Sequence, residues 1–126
     1  MTERVEYLDL DDLIGLAAGL LCDPPPIRDV GLLGGAAARP STTAFGDDAY
    51  PDIFTKAAAL LDSIVNSHPL IDGNTRLGWL AAAVFCEING ASVLSASDDE
   101  VYDLVIEVAT HHVKIDDVAS RLSAMA

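Results

Sequence analysis

Apolar residues recur at three- and four-residue intervals along most of the chain, which is the spacing of one face of an α-helix. Asp9 with Asp12 and Ser97 with Glu100 have the spacing of capping boxes, and Asn89-Gly90 is typical of a helix end. The pattern predicts an all-α fold, a compact bundle of about six helices. The predicted helices cover residues 8–22, 29–38, 50–67, 74–89 and 97–110, and a last short helix capped by Asp116 ends near Met125.

One segment between the helices lacks this spacing. Residues 41–48, S-T-T-A-F-G-D-D, combine β-branched side chains with a Gly-Asp turn signal, which predicts a short extended flap. Pro51 suits the first turn of the helix that follows the flap. The helix over residues 74–89 is apolar nearly all round, so we expect it at the centre of the bundle.

Composition narrows the class of protein. The 126 residues suit one domain over residues 1–126, and a chain that is 51% hydrophobic but 6% aromatic favours closely packed helices. The formal charge of −13 repels phosphate backbones and anionic lipids, so direct binding to nucleic acid or a membrane is not expected. The charged N-terminus predicts a cytoplasmic protein, in which Cys22 and Cys86 are expected to be buried free thiols.

Most of the candidate chemistry lies in one loop, within N-S-H-P-L-I-D-G-N-T-R-L-G-W at residues 66–79. The backbone amides from Gly73 to Arg76 are expected to be unpaired donors at a helix N-terminus, which is a ready site for phosphate. Asn74 can cap this helix or donate its side-chain amide to a phosphate oxygen. Arg76 can grip two phosphate oxygens, Asp72 can hold Mg²⁺, and His68 can accept a proton near neutral pH. These parts suit phosphoryl or nucleotidyl transfer.

Spacing alone leaves other interpretations open. His68 can be an ordinary helix-terminal residue, Asp72-Gly73-Asn74 an ordinary turn and cap, and Arg76 a partner of a surface acid. His111 and His112 favour a role at a helix C-terminus over catalysis. Trp79 favours the core over a ligand platform, and no role follows from the sequence for Arg28 or Arg39.

The loop sequence H-P-L-I-D-G-N-T-R at residues 68–76 resembles the signature of the Fic/Doc family, H-P-F-x-(D/E)-G-N-(G/K)-R. The segments I-R-D-V-G-L-L-G-G-A-A-A-R-P, Y-P-D-I-F-T-K-A-A-A-L-L and A-A-A-V-F-C-E-I-N-G resemble the death-on-curing (Doc) branch of that family. The resemblance implies an all-helical toxin of a toxin–antitoxin pair. It also implies transfer of a phosphate from ATP to a hydroxyl of a translation protein, a threonine of elongation factor Tu, which arrests translation.

Carried over by position, the resemblance makes His68 the general base, Asp72 the Mg²⁺ ligand and Arg76 the phosphate clamp. Gly73 and Asn74 become the anion cradle, and Thr75 belongs to the same nucleotide-binding turn. Leu70 stands where the family has a phenylalanine that anchors the loop, and leucine still fills an apolar pocket. The residues that would hold the target by strand-like pairing are those of the flap, Ser41, Thr42, Thr43, Ala44, Phe45 and Gly46.

Thr75 leaves the reaction type open. The Doc branch carries lysine at this position and the AMP-transferring Fic proteins carry glycine, so AMP transfer is an alternative to phosphate transfer. A catalytically degenerate module that only binds an antitoxin is a further alternative. No glutamate in the chain is followed by glycine or asparagine, as in the inhibitory helix of many Fic proteins. A Phd-like antitoxin supplied in trans, which lays a helix into an apolar groove, is therefore expected.

Overall fold

A computed structural model describes residues 4–126, and within them the chain forms a bundle of six α-helices. The all-α prediction is confirmed, with one small hairpin as the only sheet among the described residues. No helix in residues 4–126 is both long and apolar enough to span a bilayer. The helices are α1 Leu10–Leu20, α2 Val30–Ala38, α3 Ile53–Ser67, α4 Asn74–Ile88, α5 Asp98–His111 and α6 Ile115–Met125, with a 3-10 helix Arg39–Ser41 and strands β1 Thr43–Ala44 and β2 Asp47–Asp48.

Helices α3 and α4 form the centre of the bundle, and small side chains let them approach closely. Ala57, Ala58, Ala81 and Ala82 are fully buried along this pair. A β-carbon added to Gly78 of α4 would lie 2.7 Å from Cγ2 of Val65 in α3, so a larger residue does not fit there. Helices α2, α5 and α6 pack on α3, and α1 packs on α4. The helix predicted over residues 74–89 therefore lies at the centre of the bundle as expected, and α3 shares that position with it.

Two of the predicted helix starts differ from the observed ones by a few residues. The capping boxes at Asp9 and Ser97 are present as expected. Helix α3, however, begins after Asp52, whose side chain accepts a hydrogen bond from the amide of Thr55 at 2.8 Å, so Tyr50 and Pro51 precede the helix. Helix α6 begins after Lys114, and Asp116 lies in its first turn instead of capping it. There the carboxylate of Asp116 still faces the positive end of the helix dipole.

The two cysteines differ in burial, which corrects the expectation for one of them. Cys86 in α4 is fully buried, and burial raises the pKa of its thiol to about 11. Cys22 is exposed, because α1 ends at Leu20 and Cys22 lies in the proline-rich turn beyond the helix. Both thiols are free.

The predicted flap is a two-stranded hairpin, in which Thr43 pairs with Asp48 and Ala44 with Asp47. Phe45 and Gly46 form the turn, with φ of 55° and 85°. The prediction is wrong for Ser41, which ends the 3-10 helix and donates its hydroxyl to the carbonyl of Ala38. Residues 43–48 therefore form the flap proper.

The root of the flap is fastened to α3 by two cations. Lys56 of α3 is 1% exposed, and its ammonium group donates to Oδ2 of Asp48 at 3.2 Å and to the carbonyl of Tyr50. Arg39 donates to Oη of Tyr50 at 2.9 Å and to Oδ2 of Asp62 at 2.7 Å. Burial lowers the pKa of Arg39, but its hydrogen bonds to Asp62 and Tyr50 outweigh burial and raise that pKa.

These contacts fix where the flap begins relative to the candidate loop. Asp62, which accepts the hydrogen bond of Arg39, precedes His68 by six residues, so Asp62 lies roughly 9 Å from His68 along the axis of α3. Asp62 also accepts a hydrogen bond from Nδ2 of Asn66 at 2.9 Å, which continues the polar chain toward the end of the helix. Arg39, whose role could not be predicted from the sequence, thus connects the flap to the helix that ends at His68.

Candidate active site

His68 lies where α3 ends. It is the C-cap residue, with φ 53° and ψ 58°, so the chain leaves the helix through a left-handed turn. The side chain is exposed, and no group within residues 4–126 forms a hydrogen bond with its ring. The imidazole is therefore open to a reactant from solvent.

The segment before α2 holds the first part of the loop from outside. Ile27 and Leu70 form an antiparallel bridge, in which the amide of Ile71 donates to the carbonyl of Pro26 at 2.8 Å. Leu70, the expected anchor, is 1% exposed. Ile71 and Asp72, which follow it, are exposed. Because Leu70 is buried and bridged to Ile27, the loop presents the exposed Asp72 to solvent at a fixed position.

Asn74 closes the loop with its side chain. Its Oδ1 accepts a hydrogen bond from the amide of Leu70 at 2.9 Å, and its Nδ2 donates to the carbonyl of Leu70 at 3.0 Å. In this structure the side chain therefore neither caps α4 nor points its amide group toward a phosphate position. Gly73 is the N-cap residue, and Asn74 is the first residue of the helix.

Gly73 occupies a position that strongly favours glycine. Its φ is 88°, in the left-handed region, and an added β-carbon would lie 2.7 and 2.8 Å from the two terminal methyl groups of Leu21. The same β-carbon would lie 3.3 Å from Nη2 of Arg76. The end of α1 therefore supports the loop from beneath, and a side chain at residue 73 would disturb both that support and Arg76.

The N-terminus of α4 offers three backbone donors. The amides of Asn74, Thr75 and Arg76 have no acceptor within the described part of the chain. The amide of Gly73, expected to be a fourth, donates instead to Oδ1 of Asp72 at 2.9 Å. Together with the helix dipole, these three free amides are the kind of donors that bind an anion at a helix N-terminus.

Two charged side chains flank these amides. Oδ2 of Asp72 lies 3.9 Å from Nη2 of Arg76, and the two side chains are 88% and 59% exposed. Water and salt screen such a pair, so it contributes little energy and leaves both groups available to a ligand. Within residues 4–126 no three His, Cys, Asp or Glu side chains are grouped to hold a metal ion. A single carboxylate beside a phosphate site suits Mg²⁺, which keeps waters and phosphate oxygens as its other ligands.

An apolar cleft of about 580 Å³ opens beside the first turn of α4. Thr75, Arg76 and Trp79 line one side of this cleft. Trp79, which was expected in the core, is therefore only half-buried. Leu94 and Tyr102 on the opposite wall are 68% and 65% exposed. Neither residue was predicted from the sequence. Tyr102 lies off the buried face of α5 and Leu94 in the turn before that helix, and exposed large apolar side chains are the signal that marks such a surface.

The structure thus brings most of the predicted site residues together and keeps one group apart. His68, Leu70 and the run from Asp72 to Arg76 form one continuous loop and helix turn. The flap residues belong to a separate hairpin, joined to the same helix α3 at its root. His111 and His112 lie at the end of α5, where Nδ1 of His111 is 2.8 Å from Oγ1 of Thr110.

Two features define the class of protein to which this chain belongs. The fold is all-helical, and its central loop runs from a histidine to an open helix N-terminus. The sequence model of the Fic/DOC family matches residues 7–86, which include all of this loop, and the chain belongs to that family. It is also similar to the protein called Toxin Doc from Mycolicibacterium smegmatis (strain ATCC 700084 / mc(2)155). The two sequences are 43% identical over 122 residues, which is 96% of this chain and 94% of the relative.

Proposed function

We propose that this protein is the toxin of a toxin–antitoxin pair and that it transfers a phosphate from ATP to a hydroxyl group of a translation protein. The observation that carries the proposal is the open N-terminus of α4, with three free amides between Asp72 and Arg76 and with His68 at the other end of the loop. Members of the Fic/DOC family are protein-modifying transferases, and the similar protein is named as a toxin.

The proposed reaction moves one proton to His68 and one phosphate to the target hydroxyl. His68 accepts the proton of the target hydroxyl, because its imidazole is exposed and imidazole is the side chain most often used as a general base. The hydroxyl oxygen forms a bond to the γ-phosphorus while the bond from that phosphorus to the β,γ-bridging oxygen breaks, and ADP leaves. The amides of α4 and the guanidinium of Arg76 stabilise negative charge on the phosphate oxygens.

Asp72 would hold the Mg²⁺ that accompanies ATP through its Oδ2 atom, since Oδ1 accepts the hydrogen bond from the amide of Gly73. When bound, Mg²⁺ supplies neutralisation of the phosphate charge. The cleft beside Thr75 has the volume of a small-molecule site and is continuous with the first turn of α4, so we place the base end of the nucleotide there. A Phd-like antitoxin helix would inhibit the protein by covering this same apolar cleft.

Transfer of AMP is the second candidate, and Thr75 is the observation that favours it. Thr75 lines the cleft but has no cation with which to orient the phosphates. An orientation that presents the α-phosphorus to the target hydroxyl would transfer AMP and release pyrophosphate. The two reactions use the same His68 and differ in which phosphorus faces the target.

The test is incubation of the purified protein with ATP, Mg²⁺ and elongation factor Tu, followed by intact-protein mass spectrometry. We expect a mass increase of one phosphate, lost in His68→Ala. His112→Ala is a matched control, because His112 also ends a helix in the left-handed conformation, with φ 47° and ψ 56°, and should leave the transfer unchanged.

Three other outcomes would change the proposed function. A mass increase of one AMP would establish the second candidate. Absence of modification in elongation factor Tu and in a whole bacterial lysate would contradict both reactions. Growth arrest that survives the double substitution His68→Ala and Asp72→Ala would show that the protein acts by binding alone.

A further inference from the structure

Arg28 donates hydrogen bonds to three successive carbonyl groups at the end of α3. Its Nη2 donates to the carbonyl of Ser67 at 3.0 Å, its Nε to that of His68 at 2.7 Å, and its backbone amide to that of Pro69 at 2.8 Å. The amide of Asp29 donates to the same Pro69 carbonyl at 3.0 Å. All of these contacts join residues about forty positions apart in sequence, so they belong to the tertiary structure and not to the helix.

The two side-chain contacts act on the two peptide groups that flank His68. The carbonyl of Ser67 belongs to the peptide before the His68 α-carbon, and the carbonyl of His68 belongs to the peptide after it. Only φ and ψ of His68 lie between these two rigid planes. A planar guanidinium that bonds both carbonyls therefore fixes both angles, and with them the direction in which the His68 side chain leaves the backbone.

We infer that Arg28 is a positioning residue that holds His68 in its left-handed conformation, and through it the imidazole; the inference rests on the proposed role of His68 as general base. A left-handed conformation is unfavourable for a residue with a β-carbon, so the contacts of Arg28 stabilise His68 in it. The guanidinium also places a positive charge at the carbonyl end of α3, where the helix dipole favours it.

The geometry also explains why an arginine is present instead of a lysine. The Nε and Nη2 donors lie on one rigid edge of the guanidinium, which matches two adjacent carbonyl oxygens. An ammonium group on a flexible stem can neutralise the helix end but cannot fix two peptide planes at once. Arg28→Lys therefore separates the electrostatic contribution of residue 28 from its geometric one.

The experiment compares Arg28→Ala, Arg28→Lys and Arg121→Ala in the full chain. Arg121 pairs with Glu107 between α5 and α6, so its replacement removes the same charge away from the loop. We expect Arg28→Ala to slow single-turnover transfer at saturating ATP roughly 100-fold, since small misplacement of a reacting group has effects of that size. Nucleotide affinity, measured by calorimetry, should change by less than about threefold, because Arg28 forms its hydrogen bonds with carbonyls at the end of α3 and not with Asp72 or Arg76. Arg28→Lys should remain within about threefold of Arg28→Ala, and Arg121→Ala should match the original protein.

A second readout does not depend on transfer. The ¹³C chemical shifts of the His68 α- and β-carbons report its backbone conformation, and we expect them to move away from left-handed values in Arg28→Ala but not in Arg121→Ala. Unchanged shifts with an unchanged transfer rate would overturn the inference, and so would full recovery in Arg28→Lys. If the original protein transfers nothing, the proposed function fails, while the shifts still decide whether Arg28 positions His68.

Discussion

The loop and the flap both contain a residue with a β-carbon in the left-handed region and a glycine with φ close to 90°, yet their surroundings are opposite. In the loop, His68 and Gly73 are held by Arg28 and Leu21 from other parts of the chain. In the flap, the side chain of Phe45 is fully exposed, and a β-carbon on Gly46 would meet nothing within 4 Å. Similar local conformations are thus enforced by packing in one region and left to the hairpin turn in the other.

This difference agrees with the functions proposed for the loop and for the flap. A group that transfers a proton must be held within a fraction of an ångström of its productive position, so the contacts from several elements around His68 would serve the catalytic role proposed for it. A segment that recognises another protein benefits from an exposed tip on a firm root, which is the arrangement of Phe45 above Lys56 and Arg39. Substitutions that remove support from the loop should therefore lower the free energy of unfolding more than substitutions at the tip of the flap.

The largest effect is expected for Asn74→Ala. This change leaves the amide and the carbonyl of buried Leu70 without their partners, so we expect the free energy of unfolding to fall by about 3 kcal/mol. The loop that carries Asp72 would no longer be closed, and transfer should fall roughly 100-fold. Chemical denaturation and single-turnover mass spectrometry measure the two quantities.

Asn89→Ala is the matched control at the opposite end of α4. Its side chain bonds both the amide and the carbonyl of Glu6, at 2.9 Å each, in the same manner as Asn74 bonds Leu70. Because Glu6 is exposed, water can replace these bonds, and we expect a loss of about 1 kcal/mol with no change in transfer. Equal losses of transfer in the two variants would mean that general stability, and not loop closure, limits the reaction.

Gly73→Ala should lower the free energy of unfolding more than Gly46→Ala. Both glycines have positive φ, 88° and 85°, so each alanine meets the same backbone penalty of about 1 kcal/mol. At Gly73 the new β-carbon also overlaps both terminal methyl groups of Leu21, so the total loss in the free energy of unfolding should be about 2 kcal/mol.

The difference between these two losses measures how firmly α1 supports the loop. Gly73→Ala should also weaken nucleotide binding, because the added carbon approaches Nη2 of Arg76. Equal losses of stability would show that Leu21 moves aside freely, in which case the contrast between loop and flap does not extend to packing. Urea denaturation of both variants, with calorimetry of nucleotide binding, provides the comparison.

The sequence predicted the helices and the contiguous loop well because both depend on local patterns. Helical spacing located all six helices, and residues 68–76 form a motif within a single stretch. The supports were not predictable, because Arg28 and Arg39 act on residues far away in the chain, at Ser67, His68 and Asp62. The role of Asn74 was missed for a different reason, since a helix cap, a phosphate donor and a loop clasp all suit an asparagine at that position.

The smallest effect on folding is expected at the tip of the flap, in Phe45→Asn. Asparagine tolerates the left-handed conformation better than phenylalanine and is preferred before glycine in such turns, so the free energy of unfolding should rise by about 0.5 kcal/mol. Transfer to the protein target should nevertheless fall about tenfold in kcat/KM, because a ring that is fully exposed in the free protein can be buried only against a partner. Nucleotide affinity should not change. Phe45→Tyr keeps the ring and the backbone penalty, and it should retain normal transfer. Normal transfer by the stabilised Phe45→Asn variant would show that the target is held elsewhere, and the exposed ring would then have no part in recognition.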